Sequence, residues 1–175
     1  MKSCESLTRR QLLASAAVLV LAAPLEGRVT SSKQPIPQKE NRVNARPLMI
    51  LRLTTAPTQE IGATPCGSLS VFPVIGGSFE GDRLRGKVLP GGGDWVIANA
   101  DGTFEVDLRI TLQTDDDALI HMTFSGVRDD KNHYFRTLPL FETGSQKYAF
   151  LNRLLAVGSG EIGKDGPIHV IEEIL

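Results

Sequence analysis

Residues 104–113 alternate with period two. Phe104, Val106, Leu108, Ile110 and Leu112 fall on one face, and Glu105, Asp107, Arg109, Thr111 and Gln113 on the other. Such a pattern is a strand with one buried side. Shorter apolar runs surround it. Residues 48–54 predict a first strand with Arg52 as its polar exception, and 59–67, holding Pro65 and two glycines, predict a loop. Residues 68–75 predict a second strand, and Pro73 places an edge or a bulge near its end. Residues 78–80 and 84–89 are short strand-forming runs set between glycines, and 95–99 form another, turned by Asp101-Gly102. After an acidic turn at 115–117, strand 118–124 returns. A polar loop at 126–132 leads to strand 133–143, broken at Pro139. Residues 147–152 predict one helical turn, and 154–162 and 168–174 complete the set. Eight to ten short strands with frequent turns and no long helix predict an all-β sandwich or barrel.

The stretch 76–95 (GGSFEGDRLRGKVLPGGGDW) sets glycines at intervals suited to sharp bends, then delivers Asp94 and Trp95. It is no phosphate cradle, because Gly91 to Gly93 lack the Lys-Ser/Thr of a P-loop and no helical pattern follows. This stretch is followed by Thr114-Asp115-Asp116-Asp117-Ala118-Leu119-Ile120, Tyr134-Phe135-Arg136-Thr137, Phe141-Glu142-Thr143-Gly144 and Tyr148-Ala149-Phe150-Leu151-Asn152. In order and spacing these motifs resemble the DUF3237 (UPF0311) family from about Leu48 onward. The resemblance implies a single closed antiparallel β-barrel of about eight strands, calycin-like or allene-oxide-cyclase-like, and carries little information about activity. The chain departs from the family pattern at Asp117, where Gly is usual, and at Phe150, where Trp is usual.

Composition adds compartment and excludes some partners. Residues 12–23 form an apolar run just after Arg9-Arg10, the form of a twin-arginine export signal. The run is shorter than the ~20 residues that cross a bilayer, so a cleaved signal over 1–26 is expected, with membrane contact only if the segment stays uncleaved. Residues 27–46 are polar, proline-containing and aperiodic, a disordered linker, and the barrel is expected over 47–175. The expected location is periplasmic or secreted. A cut among the small residues at Ala22-Ala23, taken after Ala23, removes Lys2, Arg9, Arg10 and Glu5, leaving 16 basic and 19 acidic residues, net −3. No basic stripe invites nucleic acid. Cys4 goes with the leader, so Cys66 alone cannot form an internal disulfide or a cysteine zinc site. Cys66 is read as a small residue packed in a turn.

Each candidate residue has a bland reading beside a functional one. Asp107 and Arg109 form either a solvated surface pair or part of a lumen site. The resemblance, in which Arg recurs at the position of Arg109, implies the second, with an inward Arg109 holding an anionic oxygen and matched by Asp107 or Glu142. His121, in phase with Leu119 and Thr123, is a wall histidine or a general base. Asp94 and Trp95 form a barrel corner, with Asp94 capping amides and Trp95 plugging one end, or a site where Trp95 stacks on a planar guest and Asp94 takes a proton. Tyr134 and Arg136 share a face, which Glu142 joins only if Pro139 leaves the register intact. His133 and His169 read as surface residues, Asn152 as a backbone cap, and Asp115 to Asp117 as a solvated turn rather than a calcium loop. No Gly-x-Ser-x-Gly elbow and no His-x-His or Glu-x-x-His spacing is present, so no metal and no cofactor is expected and no catalytic residue is assigned.

Two functions fit. One is a barrel holding a small apolar or aromatic molecule in its lumen. The other is a cofactor-free isomerase, cyclase or lyase, with an arginine-anchored oxyanion and a proton-transfer residue. Convergence of Arg109, Tyr134 and a carboxylate in one cavity favours the enzyme, and an outward Arg109 favours the binder. A homodimer through an exposed edge at 68–75 is the other partner expected.

Overall fold

The computed structural model describes residues Val43–Leu175, which form one compact unit. The export signal and nearly all of the linker expected over 1–46 lie outside the described residues. The strands are β1 Ala45–Thr55, β2 Gln59–Thr64, β3 Gly67–Glu80, β4 Arg85–Ala98, β5 Phe104–Thr114, β6 Leu119–Asp129, β7 Tyr134–Glu142, β8 Ala156–Ile162 and β9 Pro167–Ile174. All pairings are antiparallel. The sheet runs β1-β9-β8-β7-β6-β5-β4-β3-β2, and β1 also pairs with β3. That extra pairing closes an eight-strand barrel and leaves β2 as an appendage on β3.

Several elements differ from the sequence reading. Residues 59–64, expected as loop, are strand β2, because β3 is long enough to carry β1 along one half of its edge and β2 along the other. The segment 68–75, expected as an exposed edge, is therefore covered by β2 as far as Val71 and meets β1 at Val74. The separate runs on either side of the glycines join into two continuous strands, β3 and β4. Their glycines mark bends inside strands, seen as register shifts between Val74 and Ser78 and between Leu89 and Gly93. Gly77 shows why no other residue serves there: its φ is +144°, and an added Cβ would clash with the Arg52 carbonyl oxygen. Strand β6 reaches Asp129, into the expected loop, and Ala45 and Arg46 of the expected linker belong to β1.

Pro139 does not break β7. It stays in register opposite Phe124, since β8 pairs only with Arg136 and Thr137 and residues beyond Thr137 have no partner on that side. The expected helical turn is a 3-10 turn at Ala149–Arg153.

The alternation in β5 carries into the core. Val106, Leu108, Ile110 and Leu112 are at most 4% exposed and point into the lumen with Leu51, Leu53, Ile120, Met122, Phe124, Phe141 and Ile171. The two ends of the barrel differ. At one, Leu84, Tyr148 and Leu151 are buried and plug the opening. At the other, a cavity lies between the strands.

Candidate functional site

The cavity at the open end has a volume of about 320 Å³. Its wall is mainly apolar, with Leu53, Phe72, Val74, Val96, Val106 and Phe135 from five strands. Asp94 and Arg128 are its charged residues. A small concave apolar site with few polar groups is the usual form of a small-molecule pocket, and this volume is at the lower end of the range.

Asp94 is inward because it pairs in register with the inward Leu108 across β4 and β5. It is 7% exposed, and its Oδ1 accepts a hydrogen bond from the Asp107 backbone N–H at 3.1 Å. Burial raises the carboxyl to about 7, because desolvation disfavours the charged form. The amide bond and the Arg128 charge offset only part of this. The amide bond is the capping contact expected of Asp94. Arg128 is held at the cavity wall by a two-pronged pair with Asp130, both N···O distances 2.6 Å, and its guanidinium lies 4.9 Å from the Phe104 ring centre.

One layer deeper is His169, which is fully buried. The surface reading of this residue is corrected. His169 shares parity with Ile171 on β9 and points inward, paired across the strands with Leu51 and Gly160. Its ring lies 4.8 Å from Phe124 and 5.0 Å from Phe135, the latter edge-on. Among the described residues neither ring nitrogen has a hydrogen-bond partner, and neither does the buried Thr137 Oγ1. Burial lowers His169 to about 4, so the imidazole is neutral around pH 7.

The remaining candidates stand on the outer wall. Arg109 points outward, its side chain 55% exposed and 3.2 Å from that of Asp107, which is 51% exposed. The inward placement of this pair does not hold, because the apolar face of β5 occupies the lumen. The match of Arg109 by Glu142 does not form either: the ion pair of Arg109 is with Asp107, and Glu142 is a β7 residue opposite His121. Trp95 is 40% exposed and does not plug an end. Its ring lies back along β4 over Gly93. His121 and Glu142 are brought together as cross-strand neighbours on β6 and β7, both exposed, at an outer groove of about 730 Å³ that also holds Thr123, Leu140 and Asn152. That groove is larger than the lumen cavity but open to water, so its polar groups gain nothing from a low dielectric. Tyr134 and Arg136 share the outer face with Glu142, since Pro139 keeps register. The Arg136 guanidinium is 5.1 Å from the Tyr134 ring centre and donates to the Phe135 carbonyl oxygen at 2.9 Å. Asn152 clamps the Thr143 backbone at both its N–H and its carbonyl, each at 2.9 Å. Cys66 is exposed in the turn between β2 and β3, not packed.

The family described as "Protein of unknown function (DUF3237)" matches residues 43–174. The chain belongs to the DUF3237 family. A "UPF0311 protein" of Rhodopseudomonas palustris (strain TIE-1) is 31% identical over 132 residues, 66% of this chain and 84% of that one. Among solved structures, a beta-barrel-like protein from Acinetobacter baumannii AYE superposes with a TM-score of 0.72 at 30% identity, covering 77% of this chain and 97% of that chain. A protein described as an enzyme from Penicillium herquei superposes with a TM-score of 0.66 at 26% identity, covering 76% and 95%.

In this DUF3237 barrel, Asp94 is the sequence candidate that faces the lumen. Arg128, Phe135 and His169 were missed as site residues. A signal for His169 was present, since Ile171 two positions later is apolar and Ile168 and Val170 surround it in a strand. Arg128 carried none, because its place at the wall depends on how far β6 extends.

Proposed function

We propose that the barrel binds one small, largely apolar or aromatic molecule in the cavity at its open end, with Asp94 as the polar anchor. The observation that carries this reading is the buried Asp94 carboxyl inside an apolar cavity of about 320 Å³. A carboxyl raised to about 7 is partly protonated at neutral pH, so it can donate a hydrogen bond to a carbonyl or hydroxyl on the guest without a full charge being buried. Export by the twin-arginine route, read from Arg9-Arg10 and the apolar run after them, would place this binding in the periplasm or outside the cell.

Native mass spectrometry of the intact protein purified from its own cell envelope fraction tests the reading. A bound small molecule is expected, lost in Val106→Trp, which fills the cavity. A guest retained by Val106→Trp with the fold intact places binding elsewhere.

A second reading rests on the same carboxyl. A group raised to about 7 in a cavity is poised to accept and return a proton near neutral pH, as a cofactor-free isomerase, cyclase or lyase requires, and Arg128 offers an oxyanion partner in the same wall. The Penicillium herquei relative described as an enzyme supports it. Asp94→Asn separates the two: the binder keeps its guest, and the enzyme keeps its guest but loses turnover.

A further inference from the structure

We propose that His169 and Thr137 form a second, deep polar station of the guest site, and that the guest is a planar aromatic molecule carrying a hydroxyl group that reaches it. This inference rests on the mouth cavity being a guest site and adds which group of the guest goes deepest. His169 is fully buried with both nitrogens unpartnered, and Thr137 Oγ1, on a residue only 2% exposed, is unpartnered as well. A buried donor or acceptor left unpaired costs stability, so the fold alone gains nothing from these groups. A neutral imidazole presents one donor and one acceptor, which a hydroxyl, itself donor and acceptor, can satisfy.

The surroundings are closely packed, so a hydroxyl reaches the two groups only when a neighbouring ring shifts. The inward face of β8 is Ala156, Gly158 and Gly160. A Cβ at Gly160 would lie 2.5 Å from the Phe135 ring and 2.9 Å from His169 Cε1, and one at Gly158 would clash with Thr137 Oγ1. Both polar side chains thus stand against strand positions that carry no side chain. Phe124 and Phe135 flank the imidazole, giving flat aromatic walls suited to a planar guest.

Phe135 lines the mouth cavity with one side and meets His169 edge-on with the other, so it is the partition between cavity and deep station. It sits at the least bonded seam of the barrel. There β7 and β8 share only the pairs Arg136 with Ser159 and Thr137 with Gly158. A strand held by so few ladder bonds can shift locally at small cost, which lets the ring move aside.

The test uses the intact protein and an isosteric pair of probes, 2-naphthol and 2-methylnaphthalene, with binding followed by equilibrium dialysis. Wild type is expected to prefer 2-naphthol by about tenfold, because one paired hydroxyl in a dry site discriminates at that level or more. His169→Leu is expected to abolish that preference while keeping the affinity for 2-methylnaphthalene, and to unfold at the same temperature as wild type or higher. A core role for the histidine predicts a lower temperature instead and leaves the preference in place. If the preference survives His169→Leu but disappears in Asp94→Leu, the hydroxyl sits at the mouth and the deep station is overturned while the cavity reading stands. If wild type binds both probes equally, the deep station alone falls. If it binds neither, the cavity reading falls with it.

Discussion

The two ends of this barrel each hold an aspartate, and the two are treated in opposite ways. At the plugged end, Asp116 accepts hydrogen bonds from Lys147 Nζ at 2.7 Å, Thr114 Oγ1 at 2.6 Å and Tyr148 Oη at 2.8 Å. Those bonds, led by the lysine, hold its carboxyl well below the ordinary carboxylate range. At the open end, Asp94 receives one backbone amide inside an apolar cavity, and desolvation raises it to about 7. Partners and water decide the difference, since the residue is the same. The plugged end is finished, with buried Leu84, Tyr148 and Leu151 over a satisfied polar cluster. The open end keeps an acid with one backbone hydrogen bond beside an apolar cavity and, behind it, a histidine whose ring nitrogens have no partner among the described residues.

Truncation breaks this contrast most directly. Leu151 is 1% exposed in the plug, and Leu151→Ala is expected to cost ~2–5 kcal/mol, the usual range for emptying a packed leucine site. Val96 lines a space that already exists, so Val96→Ala is expected to cost less than ~2 kcal/mol. Urea denaturation of both variants measures the gap, and equal costs would mean that the open end is packed like the plug.

A pH series sharpens the contrast between the acids. Asp94 has a folded pKa above its unfolded value, so the folded state binds its proton more tightly. The stability owed to that proton is full below pH ~4 and is lost as pH rises toward about 7. Asp94→Asn removes the loss. Relative to wild type it should gain stability as pH rises through this window, by at most ~1.4 kcal/mol per pH unit, and level off above it. Groups with lowered values, Asp116 and Glu173 among them, lose their contribution as pH falls, and they do so in both proteins and cancel in the difference. A flat difference between variant and wild type from pH 4 to 7 would show Asp94 to be solvated.

The smallest effect is expected on the outer wall. Arg109→Ala removes a side chain that is 55% exposed and paired with an exposed Asp107, and should change stability by under ~0.5 kcal/mol and leave guest retention unaltered. Loss of the guest in this variant would move the site to the outer face.

Much of the architecture was legible in the residues. The period of β5, the turn at Asp101-Gly102 and the glycines that bend β3 and β4 are local signals, readable because side-chain alternation and positive φ are properties of a few adjacent residues. The candidate site was legible only at Asp94. Arg109 and Asp107 were visible as charges, but the side of the wall they occupy follows from where the apolar face of β5 packs. Strand β2 was hidden because, among the described residues, it pairs with the edge of β3 left over by β1, a pairing with no local signature. The seven-residue β8 escapes a residue-by-residue role for a similar reason. Its glycines matter through Thr137 and His169, which neighbouring strands supply.

By itself, then, the order of residues determined an all-β chain with bends at its glycines and a buried face for each strongly alternating strand, because these depend on spacing within a strand, and membership of its family, because that rests on motifs in order along the chain. The tertiary structure alone decided which end is plugged, that Asp94 sits dry and raised to about 7, and that His169 lies unpartnered behind Phe135. Those outcomes depend on strand register around a closed ring, where a shift of one residue turns every side chain to the opposite face.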